Sequence, residues 1–151
     1  MEKHDRYSKY LARSVSHIFK HFLDDSTVAE VYETQSGKGD PLVAVEIQGS
    51  LKGEIIINLP KKTLDRITMK FINSNDAKVI RKNHPDVAGE LANLITGTFA
   101  NQMQYASHDL RLNAPEFNED PITVKALYQN INLSFVSKYG GFDVDFYYRE
   151  S

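Results

Sequence analysis

Gly53-Glu54-Ile55-Ile56-Ile57-Asn58-Leu59-Pro60 is the stretch on which the fold turns. Ile55, Ile57 and Leu59 recur at the two-residue period of a strand, and Pro60, lacking a backbone N–H, ends the run. It is strand-sized and far too short to cross a bilayer. Just upstream, Leu42–Ile47 places Val43, Val45 and Ile47 on one face, and Thr27–Glu33 is a β-branched, mixed run. Between these two lies Gln35-Ser36-Gly37-Lys38-Gly39-Asp40-Pro41, a polar loop with two glycines. Strands apolar on one side only call for an antiparallel sheet with that side covered.

The cover comes from helices. Tyr7, Leu11, Val15, Ile18 and Phe22 recur at three and four residues, which predicts an amphipathic helix over about residues 5–23, broken by Asp24-Asp25-Ser26. Lys62–Ile72 reads as a second helix, with Leu64, Ile67, Met69 and Phe71 apolar, and Asn73-Ser74-Asn75-Asp76 as a turn. A long helix is expected from about Pro85 to Ser107, with Asn83 as N-cap, His84-Pro85 in the first turn and Asp86 near the positive helix end. Strand-like runs then return: Leu110–Asn113, Pro121–Ala126, Asn130–Ser137 and Phe142–Tyr148, the last two joined by a Tyr139-Gly140-Gly141 hairpin turn. The expected fold is α+β: two layers, an antiparallel sheet with helices packed on one face. Gly49 and Gly53 precede one strand much as Gly140-Gly141 precede another, a loose sign of a duplicated αβββ motif. No linker divides residues 1–151, so a single domain is expected.

Composition narrows the chemistry. The chain has no cysteine, which excludes a disulfide framework, a thiolate nucleophile and any cysteine-ligated metal. Eighteen basic against twenty acidic residues give a formal charge of −2, and no Lys/Arg cluster dominates a segment, so nucleic acid is not expected as a partner. Met-Glu-Lys-His-Asp-Arg at the start lacks the apolar core of a secretory signal, so no membrane association and a cytoplasmic location are expected. His17 and His21 have metal-chelating spacing but no obvious third ligand, and no metal site is expected. Ser14-Val15-Ser16 with these histidines resembles no triad. Gly37-Lys38-Gly39 precedes Pro41 and a strand rather than a helix N-terminus, so it is not a phosphate loop. Asp143 and Asp145 share a face of the last strand, expected to be its solvated side.

The long helix carries the unusual pattern. At 100° per residue, Glu90, Asn93, Gly97, Ala100 and Gln104 all fall within about 40° of Asp86. Val87, Leu91, Leu94, Ile95, Phe99, Met103 and Tyr105 occupy the opposite, broader side as core. A polar stripe of this kind is ordinarily a solvated helix face. Such faces favour Lys, Glu and Arg, yet no Lys or Arg occurs from Asn83 to Leu110, and Asn93 and Gly97 are poor helix formers at mid-helix. A bare glycine in a polar stripe admits close approach by another group. Local rules broken without local gain tend to mark functional sites.

Asp86-Val87-Ala88-Gly89-Glu90-Leu91-Ala92-Asn93, with Pro115 a little over twenty residues on and Gly53–Pro60 ahead, resembles the CheC/CheX family of chemotaxis phosphatases, specifically its single-site CheX type. No glycine follows Pro115 closely, unlike many members, and Tyr7–Phe22 has no second Glu-x-x-Asn. The resemblance implies hydrolysis of the phosphoaspartate on a CheY-like receiver domain, with Glu90 and Asn93 catalytic. Phosphoryl transfer to water is governed by positioning and charge stabilisation. A carboxamide can accept from water and donate to a phosphoryl oxygen, so Asn93 would hold the attacking water. Glu90 would anchor the receiver's active-site lysine, with general-base catalysis as the chemical alternative. Asp86 would be a docking or helix-end residue, and Gly97 would give clearance for receiver loops. No cofactor of its own is implied, the Mg²⁺ being the receiver's. The resemblance also implies association through sheets, for which the aromatic C-terminal hairpin (Phe142, Phe146, Tyr147, Tyr148) offers apolar edge-strand material for a homodimer. A non-catalytic receiver-binding module and an assembly subunit remain alternatives.

Overall fold

The computed structural model describes residues 2–120 and 128–150. In chain order the elements are α1 (Lys3–Phe22), β1 (Ala29–Val31), β2 (Leu42–Gly49), β3 (Leu51–Asn58), α2 (Lys61–Ile72), α3 (Ala77–Met103), β4 (Leu110–Leu112), β5 (Glu116–Asn118), β6 (Gln129–Ser137) and β7 (Gly140–Glu150). The strands form one antiparallel sheet in the order β1-β6-β7-β3-β2-β4, and β5 also pairs with β2, alongside Leu42–Ala44 where β4 takes Ile47–Gly49. The expected strand at Pro121–Ala126 lies outside the described residues. The fold is α+β, with α1, α2 and α3 on one face of the sheet.

Alternation along the strands builds the core. Val43, Val45 and Ile47 of β2, Ile55 and Ile57 of β3, Ile131, Leu133 and Phe135 of β6, and Phe142, Val144 and Phe146 of β7 all turn to the helix side and are buried. Each such side chain contributes roughly 1.5–3 kcal/mol by leaving water. Two hairpins, β2–β3 and β6–β7, join through the central β3·β7 pairing, with Ile55 opposite Phe146. The short strand of each half crosses to the other hairpin: β1 lies on β6, and β4 on β2. This reciprocal exchange is the arrangement a duplicated αβββ unit generates. Gly53 is needed at the join, because a Cβ there would lie 1.8 Å from the Tyr147 carbonyl oxygen.

Several expectations need correction. The long helix starts at Ala77, not near Asn83: the Asp76 carboxylate caps it by accepting from the backbone N–H of Lys78 (2.9 Å) and Val79 (3.3 Å). Asn83 instead donates through Nδ2 to the Val79 carbonyl (2.8 Å), and Pro85 and Asp86 stand inside the helix. Pro85 removes one backbone donor, but burial of Ile80 and Val87 on either side holds the helix continuous. The helix ends at Met103, and a 3₁₀ turn at Gln104–Ala106 swings Tyr105 out of the core to 75% exposure. The aromatic hairpin is not an edge: β7 is flanked by β3 and β6, and Phe142, Phe146 and Tyr148 are buried. Asp143 is buried as well. It accepts from the backbone N–H of Gln35 and Ser36 and from the Ser36 hydroxyl, drawing the glycine loop across the sheet's outer face. Asp145 beside it is held by Asn58 Nδ2 and Asn132 Nδ2 (both 2.9 Å), and burial raises its carboxyl above the usual range despite these donors.

At the far end of α3, His108 ties three segments. Its Nε2 meets the Tyr7 hydroxyl and its Nδ1 the Ser50 hydroxyl, each at 2.7 Å. Burial holds this imidazole below its ordinary 6.5, reinforced by Lys3 and opposed by Glu150. The unfolded chain therefore takes up this proton at higher pH than the folded one, so stability present above about pH 6.5 is lost as pH falls. His108→Gln is expected to reduce that acid sensitivity, read as a smaller drop in Tm than the wild type shows between about pH 7.5 and pH 5.5.

Candidate functional site

α3 is the middle helix of its layer, packed against α1 and α2 as well as the sheet. Ile80, Val87, Ala88, Leu91, Ala92, Ile95, Thr96, Phe99 and Met103 are its buried arc. With that arc fixed, the 3.6-residue period turns the opposite stripe outward. Asp86, Glu90 and Asn93 are exposed, Gly97 and Ala100 half-buried and Gln104 exposed. Leu94, expected in the core, lies only partly buried at its margin. Two further contacts clamp the helix along its length. His84 Nε2 meets Asp65 Oδ1 of α2 at 2.7 Å, and Arg6 Nη2 of α1 donates to the Tyr105 carbonyl at 2.9 Å.

The stripe holds one acceptor-only group, the Glu90 carboxylate, and one group that both donates and accepts, the Asn93 carboxamide. At spacing i, i+3 they are neighbours on one face. Among the described residues neither side chain has a hydrogen-bond or ion-pair partner. The hydroxyls nearby are occupied: Thr96 Oγ1 donates to the Ala92 carbonyl and Thr98 Oγ1 to that of Leu94. Gly97 has nothing within 4 Å of the place its Cβ would take, so the clearance it provides is unused within the chain.

Pro115 comes to the same helix. A Cβ built at Gly89 would meet the Pro115 ring at 3.9 Å, ordinary contact distance, which seats the β4–β5 connection against the turn that carries Glu90. The connection is anchored where the Asn113 N–H donates to the Glu46 carbonyl (2.9 Å). In place of a glycine-containing loop, Glu116–Asn118 continues as β5 on β2. Sequence reading missed that strand: three residues after a proline carry no periodic signal, and the pairing partner lies some seventy positions earlier.

The arrangement is an open helix face, suited to a macromolecular surface. A pocket of about 600 Å³ does exist, but on the opposite side of the sheet, lined by Asn58, Asn132, Asp143, Asp145, Tyr147 and the glycine loop. Among the described residues no group of three or more His, Asp or Glu is placed to hold a metal ion; His17 and His21 simply pack their rings 4.4 Å apart. No helix there is long and apolar enough to cross a membrane.

The family described as chemotaxis phosphatase CheX matches residues 41–126, more than half of the chain, a span that contains the α3 stripe and Pro115. No curated protein matches. The CheX-CheY-BeF3-Mg²⁺ complex from Borrelia burgdorferi superposes with a TM-score of 0.82 at 18% identity, over 95% of this chain and 98% of that one. A chemotaxis protein CheX from Desulfovibrio desulfuricans gives 0.78 at 17% identity, covering 95% and 99%. A chemotaxis protein CheX from Vibrio vulnificus gives 0.79 at 15%, covering 99% and 100%. With the fold shared from end to end and the family match spanning α3, this chain belongs to the CheX family of chemotaxis phosphatases.

Proposed function

We propose that the protein is a cytoplasmic phosphatase that hydrolyses the phosphoaspartate of a CheY-like receiver domain in chemotaxis signalling. The observation carrying this reading is the pair Glu90 and Asn93, exposed on one rigid helix face and free of partners among the described residues. In the reaction, water attacks phosphorus, the bond from phosphorus to the aspartate oxygen breaks, and aspartate and inorganic phosphate result. Asn93 accepts a hydrogen bond from the water through its carbonyl and donates to a phosphoryl oxygen through its amide, holding the nucleophile in line. Glu90 anchors the helix to the receiver's lysine by a charge-assisted hydrogen bond. Asp86, one turn earlier, contributes to docking, and Gly97 leaves room for receiver loops. The Mg²⁺ requirement belongs to the receiver, and this chain contributes no cofactor. Residues 1–151 act as one domain in this reading.

We also propose a homodimer through β-structure. With β7 central, the edge for it is β1, which among the described residues has a neighbour on one side only and is followed by the fully exposed Tyr32. Light scattering should give twice the 17.2 kDa chain mass at micromolar concentration; a monomer would refute it.

Phosphate release from a phosphorylated receiver, with and without the protein, tests the main reading; binding without turnover would leave a receiver-binding or assembly module. Asn93→Ala should remove most activity while fold and binding persist, since exposed polar side chains usually change stability by within about ±0.5 kcal/mol. Asn93→Asp should be comparably damaging, because it loses the amide donor and sets negative charge beside the phosphoryl group. Retention of near-wild-type turnover by Asn93→Asp would defeat the water-positioning mechanism. Glu90→Ala should weaken binding and turnover together; loss of turnover with binding intact would make Glu90 the general base.

Gly97→Ala separates fold from docking. The open space at that position predicts a gain of about 0.5–1 kcal/mol in denaturant unfolding, as alanine is the better helix former. The same methyl group should raise KM for the receiver.

A further inference from the structure

We infer that the cationic face of α1 (Lys9, Arg13 and Lys20) forms the second half of the docking surface and receives the acidic surround of the receiver's phosphorylation site. The inference rests on the function proposed above and extends it to a different element.

The charge distribution carries it. Lys3–Phe22 contains five Lys or Arg against one Asp, in a chain whose formal charge is −2. Two of the five have partners: Lys3 pairs with Glu150 at 3.2 Å, and Arg6 donates to the Tyr10 hydroxyl and the Tyr105 carbonyl. Lys9, Arg13 and Lys20 are exposed and have no hydrogen bond or ion pair among the described residues. At 100° per residue these three fall within about 40° of one another, in a line about 16 Å long. Lys9 and Arg13 stand at i, i+4, where like charges cost a few tenths of a kcal/mol in an isolated helix. Asp5, one turn before Lys9, is the one acid on α1, and no residue of the helix offsets Arg13 or Lys20.

Placement gives the line its use. The buried arc of α1 (Tyr7, Tyr10, Leu11, Ser14, Val15, Ile18 and Phe19) faces the core, so the cationic line points away from the sheet, as the α3 stripe does. The two helices pack side by side and run antiparallel: Arg6 and Tyr7 at the start of α1 meet Tyr105 and His108 beyond the end of α3. Counting equal rises from that contact brings Arg13 to about the height of Gly97 and Lys20 to about that of Glu90. Packed helices lie about 8–10 Å apart, near the Debye length at physiological salt, so the two lines act on one incoming surface. The α3 stripe carries two carboxylates, Asp86 and Glu90, against one cation, Lys82 a turn earlier, and so presents a net negative field to an anionic phosphoryl group. The neighbouring cations reverse that field along the approach, which affects association rate before any contact forms.

The test uses the full chain with a phosphorylated receiver. Lys9→Gln/Arg13→Gln/Lys20→Gln neutralises the line, and the corresponding triple Glu variant reverses it; circular dichroism and Tm verify folding. We expect kcat/KM at low salt to fall about tenfold on neutralisation and further on reversal, with kcat at saturating receiver unchanged and the salt dependence of kcat/KM flattened. Lys52→Glu, on the outer face of the sheet, should change none of these. Unaltered kcat/KM and salt slope in both triple variants would overturn the inference while leaving the phosphatase reading intact. If the wild type releases no phosphate, that reading fails alone, and receiver binding with BeF3⁻ at two salt concentrations still decides the docking question. Loss of binding to anionic lipid vesicles, with receiver binding unaffected, would overturn it in favour of a membrane surface.

Discussion

What α3 buries decides what it displays. Val87, Leu91, Ile95, Phe99 and Met103 cannot leave the sheet without returning several large apolar side chains to water, a cost of many kcal/mol. The helix therefore cannot roll about its axis. The directions in which Glu90 and Asn93 leave the helix are thereby fixed, with no hydrogen bond to either side chain among the described residues. In the proposed mechanism, which depends on placing a water molecule, orientation imposed by packing would leave the carboxylate and the carboxamide all their lone pairs and donors for a partner.

The near-symmetry of the fold places a second helix, α1, in a setting equivalent to that of α3. Both lie on the same face of the sheet, and each bears an outward stripe opposite its buried arc. The stripes have opposite character. That of α3 is small, acidic and amide-bearing; that of α1 is cationic and lacks a Glu-x-x-Asn. The near-symmetric scaffold thus carries two exposed faces of different chemistry. The outer face of the sheet is different again, with buried Asp143 and half-buried Asp145 organising a loop rather than meeting solvent.

Much of this was legible in the residues. The period-two strands and the α3 wheel needed only alternation and helical spacing, since both are dictated by which residues face the core. What was not legible depended on partners distant in sequence. Pro85 looked like a helix start because proline favours first turns, and only the Asp76 cap together with burial of Ile80 shows the helix running through it. The terminal aromatics looked like an edge because sequence does not state strand order; β3 on one side and β6 on the other make β7 central. Asp143 looked solvated because its partners, Gln35 and Ser36, lie more than a hundred positions away. The cationic line on α1 forms no run in the sequence, its members being spaced four and seven apart, and becomes a line only when wound into a helix.

The exchange of short strands between the two halves also governs how the chain must be made. The central pairing joins Leu51–Asn58 to Gly140–Glu150, so one flank of β3 stays open on the ribosome until the last strand has been synthesised. β1 waits as long, since among the described residues its neighbour is β6. Neither half can complete its sheet from its own residues. The nascent chain thus carries exposed, hydrophobic strand edges while residues 59–139 are made, a period in which such edges invite aggregation and chaperone capture. Loss of residues 140–150 would strip the middle of the sheet and leave the Ile55–Ile57 strand without its inner neighbour.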